Sequence, residues 1–315
     1  MPVDQTYDSL LEEIEILKDE FSLEKAKREN LVKELEETHE ELAESHQELS
    51  DSINYAQRIQ KAIMPPDYFV EEQLPNSFIL YKPRDVVSGD FYFVHPSRGK
   101  IVFSAVDCTG HGVPGALMSV IGFKHLDQAI REKKMNRPGE ILSYLDEGVN
   151  NTLRQTAGES GVSDGMDLGL CAINFKTRQL EYAGAFNPAY IVSKGQRIVS
   201  ENAPPCAVNR HFSLTEIKAD RFPIGVNLDG IVDIYTNHAV QLEEGDTVYL
   251  FTDGYADQFG GPKGKKFKYD HLKELLLDIQ PHPMKVQKEI LDTTIKEWMG
   301  PWSQTDDILV MGVRI

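Results

Sequence analysis

Apolar residues recur at heptad spacing near the start of the chain, in one register that runs unbroken from residue 10 to residue 63. No glycine or proline interrupts this register before Pro65-Pro66, and proline ends a helix because it lacks the amide donor and restricts the residue before it. Such a helix reaches roughly 80 Å at about 1.5 Å per residue, so another helix is needed to cover its apolar stripe. The repeat predicts a parallel coiled-coil dimer.

Polar residues at several core positions would weaken this coiled coil, set its register or make it easier to rearrange. They are Glu24, Arg28, Thr38, Ser45 and Ser52. A single solvated helix rich in charge is the alternative interpretation. The other core positions are apolar: Leu10, Ile14, Leu17, Phe21, Leu31, Leu35, Leu42, Leu49, Ala56, Ile59 and Ile63.

After Pro66 the pattern changes to short apolar runs typical of strands, separated by segments with helical periodicity. The predicted strands cover residues 78–81, 100–106, 168–174, 180–182, 189–192 and 247–251. The predicted helices cover residues 114–132, 138–156, 271–279 and 284–298, with Pro114 suited to a first helical position. Because the order lacks a regular β-α-β alternation, it predicts an α+β fold, a largely antiparallel β-sandwich flanked by helices. We expect residues 1–66 to form a coiled-coil dimerisation and regulatory helix, and residues 67–315 a second domain.

Composition narrows the classes of partner. The chain has 315 residues, 41% of them hydrophobic, and a formal net charge of -17. This charge argues against nucleic acid or an anionic membrane surface as the main partner, because both would be repelled. The sequence has neither a run of roughly 18 apolar residues nor a secretory signal, so we expect a cytoplasmic protein without direct membrane insertion. The three cysteines lack the spacing of a disulfide framework or a zinc site.

Four acidic motifs each place an aspartate at or near the end of a predicted strand. They are Ser88-Gly89-Asp90-Phe91, Asp107-Cys108-Thr109-Gly110-His111-Gly112, Thr252-Asp253-Gly254 and Thr305-Asp306-Asp307-Ile308. One such aspartate is usually only a turn residue. Several clustered carboxylates repel one another unless a cation joins them, and oxygen ligands without a histidine cluster favour Mg²⁺ or Mn²⁺ over zinc.

This succession resembles the PPM-type (protein phosphatase 2C-like) phosphatases, in the bacterial branch named after stage II sporulation protein E. That branch combines an upstream Gly-Asp, an Asp-x-x-Gly-His-Gly motif, a Thr-Asp-Gly and a late Asp-Asp. The resemblance covers about residues 53–315, with further matches at residues 55–60, 113–116, 182–185 and 222–225. It implies the α-β-β-α phosphatase fold for the second domain.

The resemblance also implies hydrolysis of phosphoserine or phosphothreonine in a protein, by a water molecule activated between two metal ions, Mn²⁺ or Mg²⁺. By this resemblance Asp107 would bridge both ions, and the backbone carbonyl of Cys108 would assist one of them. Asp253 and Asp306 would complete the other. Asp107 and Asp253 are therefore the principal candidate catalytic residues.

Two further acidic residues and a histidine have alternative roles. Asp90 would either contact a metal directly or hold one of the metal ligands in position. Asp307 competes with Asp306 for the last ligand position, since the apolar run that follows does not decide which carboxylate points inward. His111 is a candidate general acid. In the eukaryotic branch, however, the histidine lies closer to the bridging aspartate, so a structural role in the Gly110-His111-Gly112 turn is the favoured interpretation.

Three other side chains near these motifs are candidates for a role in the reaction. Arg84 is a candidate phosphate-binding residue, with Lys82 as a second cation, through charge-assisted hydrogen bonds. A solvated basic surface is the alternative for both. Cys108 follows Asp107 directly, yet metal-activated water needs no cysteine nucleophile, so thiol catalysis is disfavoured.

In this branch the usual substrate is a phosphorylated anti-sigma-factor antagonist or a similar small regulatory protein, which is the partner we expect. We also expect a homodimer whose coiled coil controls the phosphatase. One rival function is a catalytically silent coiled-coil scaffold that binds a phosphoprotein. Another is hydrolysis of small phosphorylated molecules, although the nucleotide-binding motif GxxxxGK[ST] is absent from the sequence.

Overall fold

The computed structural model describes residues 3–153, 164–197, 199–200, 203–225 and 234–315. The first helix ends at Ile63, just before the two prolines, as predicted, and the four predicted later helices begin within two residues of their expected starts. The predicted end of the second of these, at residues 154–156, lies outside the described residues. The helices are α1 (Val3–Ile63), α2 (Asp67–Gln73), α3 (Gly112–Arg131), α4 (Pro138–Leu153), α5 (Gly254–Asp257), α6 (Tyr269–Ile279) and α7 (Met284–Met299).

The strands include all six that the sequence predicts, together with shorter or more mixed ones that it does not. They are β1 (Ser77–Lys82), β2 (Phe91–Ser97), β3 (Lys100–Cys108), β4 (Met166–Asn174), β5 (Gln179–Ala185), β6 (Ala189–Lys194), β7 (Pro205–Val208), β8 (Phe212–Ile217), β9 (His238–Gln241), β10 (Thr247–Phe251), β11 (Phe259–Gly260), β12 (Lys265–Lys266) and β13 (Ile308–Arg314).

Two main sheets form the centre of the fold. One has six strands in the order β1-β13-β10-β6-β8-β7, and the other has five in the order β2-β3-β4-β5-β9. Neighbouring strands pair antiparallel in both sheets. Helices α3 and α4 pack on the five-stranded sheet, and α6 and α7 lie against the six-stranded sheet. The predicted α+β class, a mainly antiparallel sandwich between helices, is confirmed.

Strand β10 shows how the core is divided. All five of its residues are buried, and successive side chains point to opposite faces of the sheet because a strand repeats every two residues. Val248 and Leu250 belong to the apolar cluster between the sheets, whereas Tyr249 and Phe251 belong to the cluster under α6 and α7. A strand buried on both faces therefore reads as a continuous apolar run, which is why the sequence identifies it.

The chain divides into two compact units, Met1–Tyr55 and Ala56–Ile315, and the boundary falls within α1. In the first unit the heptad leucines are uncovered in the single chain: Leu35 is 70% exposed, Leu42 67% and Leu49 60%. Within the described residues, no helix combines the length and the apolar character needed to cross a bilayer.

Candidate active site

The aspartates of the four motifs meet at one edge of the sandwich. Asp90 directly precedes β2 and Asp107 lies near the end of β3, and these ends adjoin because Phe91 pairs with Val106. In the other sheet Phe251 pairs with Val310, which brings Asp253, two residues after β10, close to the start of β13. Antiparallel pairing thus gathers residues that are far apart in the sequence.

Thr252 joins the two sheets at this edge. Its hydroxyl donates a 2.6 Å hydrogen bond to Oδ2 of Asp90, and its Oγ1 accepts one of 3.0 Å from the backbone N–H of Leu309. The hydroxyl of Tyr81 donates to the backbone carbonyl of Asp90 at 3.2 Å. All of these groups are largely buried. Asp90 is therefore held in one orientation by a side chain from the opposite sheet.

Mutual repulsion marks the aspartates as a cluster. Burial and the charge of Asp107 raise the pKa of Asp90 well above its usual value. Burial and the charges of Asp253 and Asp167 do the same to the pKa of Asp107. The pKa of Asp253 is also raised, by burial and by the charges of Asp257 and Asp306. Each carboxylate is costly to ionise beside the others, and a nearby cation would reverse that cost.

Asp306 and Asp307 differ in what their carboxylates contact. Asp307 is buried, and its two oxygens accept hydrogen bonds from the backbone N–H groups of Arg84, at 2.7 Å, and Gly89, at 2.8 Å. Asp306 is exposed, and its Oδ1 accepts only the 2.8 Å bond from the backbone of Asp307 among the described contacts. Asp307 thus fixes the loop before Asp90, while Asp306 keeps oxygen lone pairs for a ligand.

Small residues allow three backbone segments to touch beside Asp107. A side chain at Gly89 or at Gly115 would overlap the carbonyl oxygen of Gly110, so these positions require glycine. The backbone carbonyl oxygen of Cys108 lies 3.1 Å from the position that a Cβ of Gly89 would take. The loop that carries Asp90, the loop after Asp107 and the start of α3 therefore pack against one another directly.

The surroundings of His111 and Cys108 favour a structural role over a catalytic one for both residues. His111 precedes α3 between two glycines with positive φ, Gly110 at 85° and Gly112 at 64°. Its Nδ1 lies 3.0 Å from Oδ2 of Asp85, in the loop before Asp90. The thiol of Cys108 is buried, and burial followed by the charge of Asp107 raises its pKa, which disfavours a reactive thiolate.

The two predicted phosphate-binding cations lie in different surroundings. Nη1 of Arg84 donates to the carbonyl oxygen of Thr305 at 3.1 Å, which places the guanidinium beside Asp306. Nζ of Lys82 lies 2.6 Å from Oδ1 of Asp292 on α7. Arg84 therefore lies near the aspartates, whereas Lys82 forms an ion pair with Asp292 on α7, a helix on the outer face of the sheet.

Asp167 belongs to the cluster although the sequence interpretation missed it. It pairs directly with Asp107 across β3 and β4, and burial together with the charge of Asp253 raises its pKa to about 6. The available signal was its place in Gly165-Met166-Asp167, one residue before a predicted strand, which matches the setting of the other aspartates.

The end of α1 also contributes to the site, which the sequence did not predict. Gln60 is buried, and its Nε2 donates to the carbonyl oxygen of Ser88 at 2.6 Å and to Oγ of Ser119 on α3 at 2.9 Å. Its Oε1 accepts from the backbone N–H of Ser88 at 3.2 Å. Gln57 donates to the carbonyl oxygen of Val86 at 2.6 Å. One helix face thus clamps the loop that ends in Asp90.

The donor set fits a hard divalent cation, because it consists of carboxylate and carbonyl oxygens that repel one another without one. In the conformation described, no group of three or more His, Cys, Asp or Glu side chains among the described residues closes on a single point as a metal shell. The aspartates share an edge, where burial and then the charges of neighbouring carboxylates raise the pKa values of Asp90, Asp107 and Asp253.

Comparisons with known proteins agree with this geometry. A family model described as stage II sporulation protein E (SpoIIE) matches residues 97–315. The SiaA-PP2C domain of Pseudomonas aeruginosa is 34% identical, with a TM-score of 0.72, over 86% of this chain and 98% of that chain. A search of curated protein sequences gave no match.

Two more distant structures support the fold alone. The PP2C phosphatase domain of SpoIIE from Bacillus subtilis, with a fragment of its regulatory domain, is 16% identical with a TM-score of 0.56, covering 76% of this chain and 63% of that chain. The RsbU and RsbW domains of a Mycobacterium tuberculosis protein give 16% identity and a TM-score of 0.55, covering 76% and 60%.

Proposed function

The chain belongs to the SpoIIE family of PP2C-type serine/threonine protein phosphatases, and from this premise we propose that it dephosphorylates a regulatory phosphoprotein under the control of its N-terminal coiled coil. The family is metal-dependent. The observation that carries the proposal is the cluster of aspartates at one edge of the sandwich, in which burial and then the neighbouring carboxylates raise the pKa values of Asp90 and Asp107. We expect the reaction to occur in the cytoplasm.

In this proposal the residues divide between holding metal and holding the ligands in place. Asp107, the Cys108 carbonyl, Asp253 and Asp306 would hold two Mn²⁺ or Mg²⁺ ions, with Asp90 in support. When bound, such ions lower the pKa of water and neutralise charge on the phosphoryl oxygens.

Other residues position the site. Thr252 orients Asp90 through its 2.6 Å hydrogen bond, and Asp307 fixes the preceding loop through two backbone N–H groups. Arg84, whose guanidinium is already anchored on Thr305, would present its remaining donors to the phosphate. His111 would stabilise the turn before α3 rather than act as general acid.

The substrate class rests on the family resemblance: an anti-sigma-factor antagonist or a similar small protein with a phosphorylated serine or threonine. Control by the coiled coil rests on adjacency and on contacts. The helix that carries the heptads continues into Gln57 and Gln60, which bind the loop before Asp90. A change in the rotation or packing of α1 would therefore change how that loop presents Asp90 and the backbone of Gly89.

The proposal is tested by manganese-dependent hydrolysis of a phosphoserine protein. We expect Asp107→Asn to lower kcat/KM by at least about 100-fold, because loss even of residues behind metal ligands typically costs 10- to 100-fold. Asp19→Asn is the matched control, since Asp19 is exposed on α1 away from the heptad core, and it should match the native chain. Activity that needs no added metal and survives Asp107→Asn would exclude this mechanism, and absence of any activity in the native chain would favour the scaffold function.

A further inference from the structure

A groove opens beside the aspartate cluster and is not used by the proposed chemistry. It has a volume of ≈ 540 Å³, within the usual range for ligand sites. Its walls come from the turn after β5, the segment after β8 and the start of α6, and include Phe186, Asn187, Lys218, Arg221, Tyr269 and Lys273.

Strand register places this groove next to the site. Asp107 pairs with Asp167 on β4. Leu168, the next residue, pairs with Ala185 at the end of β5, so Phe186 begins just beyond Asp167 at the same sheet edge. On the opposite wall, burial and the charges of Asp253, Asp257 and Asp107 raise the pKa of Tyr269. The groove therefore lies near the edge where a phosphoryl group would be hydrolysed.

The groove offers free positive charge in a strongly acidic chain. Its two acidic residues are engaged: Glu216 pairs with Lys273 at 2.8 Å, and the Asp220 carboxylate accepts hydrogen bonds from the backbone and hydroxyl of Thr236, at 2.6 and 3.0 Å. Neither Lys218 nor Arg221, which are both exposed, forms an ion pair with any carboxylate in the described part of the chain. In a chain whose net charge is -17, these two cations mark where an anionic group can approach.

The turn at the groove wall also holds an unused donor. Asn187 is only 7% exposed, and its Nδ2 has no hydrogen-bond partner among the residues that the structure describes. Its backbone is fixed, because Tyr182 donates to its carbonyl oxygen at 2.7 Å. The preceding Phe186 has a φ of 56°, which is costly for an aromatic residue, and this residue is 48% exposed. A buried donor without a partner and a strained, exposed ring are typical of a ligand site.

We propose that this groove binds an acidic segment of the substrate polypeptide next to the phosphorylated residue, with Lys218 and Arg221 pairing with its carboxylates. The inference rests on the proposed function, since it names what the phosphatase recognises around its target. A polypeptide is favoured over a free anion because Phe186 and Tyr269 add aromatic surface to the two cations, and such surface suits extended chain and side chains.

The test uses two fluorescein-labelled phosphoserine peptides that differ only in three flanking residues, Glu in one and Gln in the other. We expect the native chain with Mn²⁺ to prefer the Glu peptide by about five- to tenfold in kcat/KM, the product of two exposed ion pairs. The preference should shrink as salt is raised, because salt screens exposed charges.

Charge reversal then assigns the preference to the groove. The double variant Lys218→Glu, Arg221→Glu should remove or invert it. The control double variant Lys285→Glu, Lys288→Glu makes the same change of net charge at exposed positions on α7 and should keep it. A native chain without preference, or a groove variant that keeps the native ratio, would overturn the inference.

Binding of the same peptides to the Asp107→Asn variant, measured by fluorescence anisotropy, separates this inference from the proposed function. A groove that recognises an acidic segment should still bind the Glu peptide about five- to tenfold more tightly than the Gln peptide in this variant, which hydrolyses both peptides only slowly. If the native chain hydrolyses neither peptide, the proposed function fails, but the anisotropy measurement still shows whether the groove prefers the acidic peptide. If both are hydrolysed but bound equally, only the groove assignment fails.

Discussion

The carboxylates of Asp306 and Asp307 lie in different environments although the two residues are adjacent. Asp307 is buried under the loop before Asp90 and accepts two backbone hydrogen bonds, whereas Asp306 is exposed at the same edge. A buried carboxylate with both oxygens occupied serves mainly to hold the backbone. Asp306 remains the predicted metal ligand because its oxygens are accessible.

Substitution by asparagine should separate these two roles. In Asp307→Asn only one side-chain oxygen remains, and the new NH₂ faces a backbone N–H, so we expect a loss of about 1–3 kcal/mol in the free energy of unfolding. Asp306→Asn keeps an acceptor for the backbone of Asp307 and should change stability by less than about 1 kcal/mol. It should weaken Mn²⁺ binding by at least about tenfold. Urea unfolding and calorimetric metal titration measure both effects, and the opposite pattern would exchange the two assignments.

The raised pKa of Asp167 predicts that the stability of the metal-free protein depends on pH. Its pKa of about 6 in the folded chain exceeds the value of about 3.9 expected for an unfolded aspartate. Its contribution to stability is therefore present below about pH 4 and is lost as the pH rises through about 6. With chelator present, Asp167→Asn should raise Tm at pH 8 and raise it only about half as much at pH 5, which lies midway between the two pKa values. Asp19→Asn should leave Tm unaltered at both values, and an equal effect of Asp167→Asn at both would contradict the raised pKa.

At the scale of elements, α1 reaches the site through its last two turns. Gln60 contacts the Ser88 backbone twice and Ser119 on α3 once, so one buried side chain links α1, the loop before Asp90 and α3. The loop itself is tied at its other side by Asp307, from the segment before β13. Three elements distant in sequence thus determine the position of one short loop.

Removing this link should loosen the loop. Gln60→Ala leaves the buried N–H and C=O of Ser88 without partners, and we expect a cost of about 1–3 kcal/mol in the free energy of unfolding. A higher Mn²⁺ concentration should also be needed for half-maximal activity. Gln47→Ala is the matched control, because Gln47 is an exposed glutamine on the same helix that bonds only Asp51 among the described residues. Unchanged manganese dependence in Gln60→Ala would argue against transmission through this contact.

For the whole molecule, the long apolar stripe of α1 is the feature that a single chain does not satisfy. Leu31, Leu35 and Leu42 are each at least 66% exposed although they occupy heptad core positions. Such a stripe is covered when a second helix packs along it. The homodimer therefore remains the prediction that accounts for this segment.

Lysine at two core positions should dissociate the dimer. We expect Leu35→Lys with Leu42→Lys to give a monomer by light scattering across the micromolar range, since charges at the seam are strongly unfavourable. Ile16→Lys with Leu23→Lys introduces the same charges on the same helix outside the seam and should leave the dimer intact. A native chain that is monomeric throughout that range would contradict the coiled coil.

The sequence alone determined what depends on short stretches of chain. The heptads, the buried strands such as β10, the helix stop at Pro65-Pro66 and the aspartate motifs are all local patterns, because periodicity and turn chemistry act over a few residues. Even the start of α3 was predicted within two residues, although the helix begins at Gly112 rather than at Pro114.

Only the tertiary structure decided which distant residues meet. The hydrogen bond from Thr252 to Asp90 spans 162 positions, and the contacts of Asp307 with Arg84 and Gly89 span 223 and 218. Asp167 beside Asp107, Gln60 on Ser88 and the cations of the groove likewise follow from strand pairing and packing. No local pattern encodes such contacts, because each partner gains its neighbour, its burial and its shifted pKa only when the two sheets and their helices close on one another.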